Sequence, residues 1–490
     1  MKTNSMVAFL ARRAGTSLLL LSLTLSFAGA TAGSAASVSE LMEKGIYAEE
    51  TKGDLDEAVA LYKQIVAEGA AGQAVAAQAQ YHLGVCYYKK KNFAEASAAF
   101  EKLIQDFPNQ KEFVDRAREY LAGAIALLPA PWADSEELRL DLKLASGFKM
   151  GMTTYRVEAG ETNGQKIWRF SSRLWAAGAE QMSRVEVAAD TLKPIHSRWK
   201  HSLLGDADTT YADGKAEIRF AGKPELKTVD LEGAVFDNEE VGMGMRRLPL
   251  ATNGSVTLRI LPSLGGGRIM PIDFTVTGVE TVRVPAGTFE CYKVELSLVK
   301  QSFYLSTDEH RYLVKFEANG VTAELVSITH PQPGQPARYD DAERHFSLTA
   351  PAGWDFCRVQ HDASDTKGTV VILDPEVTAS ATLQTLDLTG LKPETAASLR
   401  DWANSQMSEY GRAFKDFQVR ADSWKEIQVG DKAGWCATAD FGDKSGRKAA
   451  YAAFSFVSGK AVAFYLNAPA KQFDTLQPQF AGIVGSYKPN

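Results

Sequence analysis

The feature that most constrains this chain is an internal repeat. Residues 54–65 read DLDEAVALYKQI and residues 92–103 read NFAEASAAFEKL, so acidic, alanine and aromatic positions recur at an offset of 38. Both copies lie within residues 38–128, a stretch rich in Ala, Glu, Lys, Gln and Leu and free of proline until Pro108. These side chains lose little freedom in a helix, so the stretch reads as helical. A helical unit that repeats has an apolar face too wide to bury alone, and stacking on its neighbour covers it. The N-terminal region is therefore expected to be a small helical array.

In the second copy, Gly84 and Ala96 are small where paired helices would cross. Tyr87, Phe100 and Leu103 fill the space between pairs, and Pro108 ends the second helix. With Leu83, this spacing resembles the tetratricopeptide repeat, a helix pair recurring every 34 residues. The first copy departs from it: Ile46 stands where the small glycine belongs, and the longer offset implies a longer connection around Gly69 to Gln73. A further helix from Phe113 to Leu127, presenting Phe113, Ala117 and Leu121, reads as a terminal cap. The resemblance implies a groove for a protein or peptide partner. Carried onto this sequence, the groove falls at Gln78, Tyr81, Val85, Tyr88 and Lys89, and in the weaker copy at Glu43, Tyr47 and Glu50. Tyrosines there would serve as anchors, with large rigid area and a hydrogen-bonding tip. Packing between helices explains the same tyrosines equally well.

The first residues carry an address. Lys2, Arg12 and Arg13 precede an apolar run from Leu18 to Phe27, followed at once by Ala28, Gly29 and Ala30. That is the order of a secretory signal peptide, expected over residues 1–35, and the run is too short to span a bilayer. No cysteine follows it, which argues against a lipid anchor, and no later segment is apolar enough to span. The mature chain is thus expected to be periplasmic or secreted. A net charge of -6 with no basic tract speaks against nucleic acid as a partner. Of the four cysteines, only Cys357 and Cys436 fall in one expected domain; a disulfide between them and four free thiols both fit.

Pro129-Ala130-Pro131 reads as a stiff linker, after which the pattern changes. Residues 132–330 alternate with period two, as in Leu138-Arg139-Leu140-Asp141-Leu142, and Asn163-Gly164 and Asn319-Gly320 are hairpin signals. The expectation is a large antiparallel sheet, curved or partly closed. The segment Val284-Pro285-Ala286-Gly287-Thr288-Phe289-Glu290-Cys291-Tyr292-Lys293-Val294 resembles an exported bacterial family of unknown function, DUF3108. Tyr304-Leu305-Ser306-Thr307-Asp308, Tyr312-Leu313-Val314-Lys315 and Asp190-Thr191-Leu192-Lys193-Pro194-Ile195 support the resemblance. It implies a β-rich fold and an envelope setting, with no assigned chemistry.

Residues 340–490 form a third unit. Strands are expected at Phe346 to Thr349, Gly434 to Ala437, Ala450 to Phe456 and Ala461 to Leu466, with helices at Glu394 to Tyr410 and Phe473 to Val484. The order resembles the α/β sandwich of the PsbP and Mog1 group, which implies an accessory or binding module. The whole is expected to be multidomain α+β.

Catalytic signatures are missing: no G-x-S-x-G, H-E-x-x-H, Walker loop or dinucleotide fingerprint occurs. Gly265-Gly266-Gly267 reads as a loop and Ser458-Gly459-Lys460 as a strand turn. Asp308-Glu309-His310 suits an exposed turn better than a metal, and His196 and His201 would point to opposite faces of a strand. No catalytic residue, metal or cofactor is expected. The favoured reading is a non-enzymatic scaffold whose partner-binding residues are Tyr47, Gln78, Tyr81, Val85, Tyr88 and Lys89. The alternative is a carrier holding a lipid or other apolar ligand in the curved sheet, lined by Leu140, Leu142, Phe274, Val276 and Val294.

Overall fold

The structure is a computed structural model. It describes residues 37–490 except 68–71, 91, 122–124, 126, 177, 203, 232–233, 264–266, 298–299, 361–368, 377, 388–395 and 444–445. The expected signal peptide and Gly265 and Gly266 lie outside the described residues.

Helices come first. A capping box opens α1 (Val38–Ile46): Ser37 Oγ accepts from the Glu40 N–H, and the Glu40 carboxylate accepts from the Ser37 N–H. The helix then widens into a π-helical turn over Tyr47–Lys52 and stops at Gly53, where φ is +70°. Next come α2 (Leu55–Ala67), α3 (Gln73–Lys89), α4 (Phe93–Asp106) and α5 (Lys111–Leu121).

The π turn explains the irregular first copy. A Cβ on Gly84 would lie 2.4 Å from the Phe100 ring, and one on Gly45 would lie 2.6 Å from the Tyr62 ring. Gly45, not Ile46, is therefore the small crossing residue of the first pair. It precedes its ring by 17 positions and Gly84 precedes its own by 16. A π turn is a one-residue insertion in an α-helix, and it absorbs that difference. The expected cap helix ends earlier than its pattern suggested. Beyond α5, Ile125 and Leu127 pack against the central sheet instead.

The central unit is one fifteen-stranded sheet made of two meanders that meet in its middle. The first runs outward through β1 (Glu137–Leu144), β2 (Lys149–Thr162), β3 (Gln165–Ala176) and β4 (Ala179–Ala188). It continues with β5 (Pro194–His201), β6 (Gly205–Ala212), β7 (Lys215–Phe220) and β8 (Leu226–Asp230). The second starts at the far edge with β9 (Phe236–Asp237), α6 (Val241–Gly244), β10 (Ser255–Leu261) and β11 (Met270–Val284). It returns through β12 (Gly287–Leu296), β13 (Gln301–Ser306), β14 (Leu313–Ala318) and β15 (Val321–Thr329), and β15 pairs antiparallel with β1. Asn163-Gly164 and Asn319-Gly320 make two-residue hairpins with both φ angles positive, as their sequences require. The sheet curls until β9 approaches β5, and one continuous apolar core fills its concave side.

The third unit opens with β16 (Ala337–Asp341) and β17 (Phe346–Ala350), which pair together. An eight-stranded antiparallel sheet follows: β18 (Asp355–Val359), β19 (Thr369–Leu373), β20 (Ser380–Asp387), β21 (Lys415–Val419), β22 (Lys425–Val429), β23 (Lys432–Asp443), β24 (Gly446–Val457) and β25 (Lys460–Pro469). Helix α7 (Ala396–Gly411) packs Ala403 and Met407 on one face, against Ala437, Ala452, Phe454 and Tyr465. On the other face α8 (Phe473–Gly485) lays Phe473, Phe480 and Ile483 over Tyr451, Ala453 and Phe464. Because both faces are covered, the β24 segment Ala449-Ala450-Tyr451-Ala452-Ala453-Phe454 is apolar without alternation. The four cysteines are free thiols, buried in four different clusters, and Cys357 and Cys436 are not joined.

Candidate functional site

The six expected partner-binding residues do not form one surface. Tyr81 and Val85 are 8% and 5% exposed. The reason is α5, whose apolar side lies across α3. Tyr81 meets Phe113 and Tyr120 at ring separations of 5.8 and 6.1 Å, and Tyr88 meets Tyr120 edge-on at 5.0 Å. Packing, not anchoring, is what these tyrosines do, which corrects the groove expected on α3. Gln78 is half-buried, and Lys89 is engaged in an ion pair. Tyr47 differs: it is 55% exposed, and Glu43 and Glu50 are exposed with it.

Lys89 leads to an unexpected centre. The π turn swings Glu49 inward until it is only 6% exposed. Its carboxylate accepts from Tyr62 Oη at 3.0 Å and Lys89 Nζ at 2.8 Å, with His82 Nδ1 also at 2.8 Å. Burial alone would raise the Glu49 pKa, but bonds from His82, Lys89 and Tyr62 lower it to about 2. Cys86 lies beside this cluster, its thiol pushed up to about 12 by burial and by Glu49, so it carries no thiolate. The cluster ties α1, α2 and α3 together.

Among the described residues, the part of the curved sheet expected to hold an apolar ligand is filled. Leu140, Leu142, Phe274, Val276 and Val294 do line its concave side, yet all are at most 2% exposed. The chain itself occupies the space: Met243, Met245, Leu248 and Leu250 pack into the same core. This corrects the expected apolar chamber on those five residues.

Two adjacent arginines fasten this plug. Arg246 is fully buried and donates to Glu136 Oε1 at 2.6 Å, to the His310 carbonyl at 2.7 Å and to the Arg311 carbonyl at 3.1 Å. Its guanidinium also lies 5.5 Å from the rings of both Trp132 and Tyr312. Arg247 donates to the carbonyls of Leu128, Ala189 and Asp190 at 2.6–2.9 Å. The motif around Asp308 builds the receiving turn. Asp308 Oδ1 accepts from Ser306 Oγ and from the His310 and Arg311 N–H groups, while Ser306 Oγ accepts from the Tyr312 N–H. Among the described residues no group of three or more His, Cys, Asp or Glu is placed to hold a metal ion.

A second polar centre sits where β9 meets the first meander. Asp237 Oδ2 accepts from Ser197 Oγ and Tyr211 Oη, both at 2.5 Å, and burial raises its pKa. Neighbouring Glu240 is 1% exposed, and neither carboxyl oxygen has a hydrogen-bond partner among the described residues. Burial and the nearby Asp237 push its pKa well above the ordinary carboxylate range. Beside Tyr211 a cavity of about 240 Å³ opens to the surface.

The central and C-terminal units are joined by an apolar seam of Met152 and Trp175 against Cys357, Val359, Val371 and Leu373. Arg139 crosses it to Asp355 at 3.0 Å, and Arg173 to the carbonyls of Gly353 and Pro375. At one end lies a polar cleft of about 480 Å³. Its wall includes Glu180, whose pKa is raised to about 7 by burial and by Asp374.

Residues 139–326 match the family described as a protein of unknown function, DUF3108, and residues 78–109 match a tetratricopeptide repeat. No curated protein matches the chain. Among solved structures the chain is similar to a β-barrel-like protein of the domain of unknown function DUF1849 from Brucella abortus. There the identity is 13%, the shares covered are 41% of this chain and 100% of that one, and the TM-score is 0.29. It is also similar to cyanobacterial PsbP from Synechocystis, at 14% identity over 34% of this chain and 98% of that one, TM-score 0.27. The Saccharomyces cerevisiae Ran-binding protein Mog1p matches at 11% identity over 32% of this chain and 96% of that one, TM-score 0.22. The composition read from the sequence, a tetratricopeptide segment with a DUF3108 region and PsbP and Mog1 among the similar folds, is the one found.

Proposed function

We propose that this chain is an exported, non-enzymatic interaction scaffold of the bacterial cell envelope, with a protein or peptide partner taken up on its N-terminal helices. The observation that carries the reading is Tyr47. It is a large aromatic left 55% exposed on a helical array whose other groove tyrosines, Tyr81 and Tyr88, pack against Tyr120 of α5. Glu43 and Glu50 accompany it, so the partner surface is expected to offer an apolar slot rimmed by Lys or Arg. The tetratricopeptide match over residues 78–109 supports a protein as the partner. The array is fastened to the β units through Leu128, Arg247 and the Arg118–Asp273 pair at 3.4 Å, which suits a rigid platform.

The test is affinity capture from envelope extract, comparing the native chain with a variant carrying Glu43→Lys, Tyr47→Ala and Glu50→Lys. These side chains are exposed, so the fold should be retained while the partner is lost. Equal recovery of every captured protein by both forms would remove the proposal. Export is tested separately, by fractionating cells that express the full chain and a chain lacking residues 1–35.

A further inference from the structure

The cavity beside Tyr211 is placed where the sheet changes from a filled core to an open end. Its floor is Tyr211, Val235, Phe236 and Pro194, all buried, while Lys193 is exposed at its margin. The turn that carries Lys193 is held in a fixed shape. Arg247 grips the carbonyls of Ala189 and Asp190, and the Lys193 carbonyl accepts from the Ala188 N–H at 2.9 Å. Within that turn Leu192 has φ of +56° and is 1% exposed. A branched residue in the left-handed region is costly and persists only where its surroundings over-determine it. The strained turn therefore has one position, which plants Leu192 in the core and leaves Lys193 at the mouth of the cavity.

Tyr211 donates its hydroxyl hydrogen to Asp237, so the side of the ring facing the cavity adds apolar area. The Lys193 ammonium has no hydrogen bond or ion pair among the described residues. An apolar floor with one cation at the rim is the complement of a short amphiphile with an anionic head. Size follows from volume: an apolar cavity of ~150 Å³ takes up benzene. The roughly 240 Å³ here accommodates an apolar portion of about nine or ten heavy atoms by the same scale.

We infer that this cavity is a binding site for a medium-chain carboxylate, with the alkyl chain on Tyr211, Val235 and Phe236 and the carboxylate at Lys193. The site is separate from the helical array and stands whether or not the scaffold reading does. Binding should follow chain length, because each buried methylene contributes about a fourfold gain in affinity. Calorimetric titration of the full mature chain with butanoate, hexanoate, octanoate and decanoate reads this directly. Affinity should climb about fifteenfold per two carbons until the cavity is full. Ala234, exposed on the cavity wall, offers a blocking substitution: Ala234→Trp should abolish octanoate binding with an unchanged denaturation midpoint. Lys193→Glu should lose octanoate and gain octylamine. Affinity independent of chain length, full binding by Ala234→Trp, or equal affinity for octanoate and octylamine in the native chain would each overturn the assignment.

Discussion

Replacing Arg246 with Met tests whether the plug is held by its buried ion pair. The substitution keeps an unbranched stem of similar reach and removes every donor. Glu136, 1% exposed, is left as a buried carboxylate without its cation, and the carbonyls of His310 and Arg311 lose their donors. Breaking a buried pair from one side costs about 3–5 kcal/mol, most of it the penalty of the stranded charge. With a urea slope of about 3 kcal/mol/M for a unit of this size, the midpoint should fall by roughly 1–1.7 M. Trp132 is 6% exposed and stacks near the guanidinium, so its fluorescence reports the event at the site. Arg246→Met combined with Glu136→Leu removes the stranded charge as well and should recover at least about 1 kcal/mol. A single variant within ~1 kcal/mol of native, or a double variant no better than the single, would refute the argument.

Further outcomes are open to measurement. Glu49 has a pKa lowered from 4.5 to about 2 in the folded chain, so its contribution is complete above about pH 4.5 and disappears as pH falls toward 2. The helical array should show a steep acid-unfolding arm by circular dichroism, and Glu49→Gln should flatten it and weaken the array at pH 7. Glu180 moves the other way. Its folded pKa of about 7 exceeds the ordinary 4.5, so the folded state holds a proton the unfolded state gives up, and stability falls as pH rises from 4.5 through 7. Glu180→Gln should shrink that decline, seen as a smaller difference in melting temperature between pH 5 and pH 8 than in the native chain. Gly84→Ala places a Cβ 2.4 Å from Phe100 and should destabilise the array by about 1–3 kcal/mol in urea unfolding. Tyr47→Ala should change stability by less than about 0.5 kcal/mol.

Local pattern made much of this architecture readable in advance. Period-two runs such as Leu138, Leu140 and Leu142 declare a half-buried strand, and Asn-Gly pairs declare their hairpins because both residues must take positive φ. What stayed hidden depends on contacts far apart in sequence. Tyr81 and Tyr88 carry the same signature whether they face a partner or α5, and only the position of Phe113 and Tyr120 decides. Gly45 was obscured by one inserted residue, because an offset computed from α-helical spacing misses a π turn. Arg246 and Arg247 look like ordinary surface charges. Their burial follows from Glu136, Leu128, Ala189, Asp190 and the carbonyls at 310 and 311, partners 57 to 119 positions away.

The placement of β1 has a consequence for assembly. Its neighbours are β2, which follows immediately, and β15, which pairs Thr329 with Glu137. Until almost two hundred further residues have been made, one side of β1 is a bare row of amides beside a leucine stripe, a template for the wrong chain. A product cut short before Val321 should therefore clump rather than settle into a smaller unit, and a chaperone that shields this edge during synthesis should matter more than one acting later.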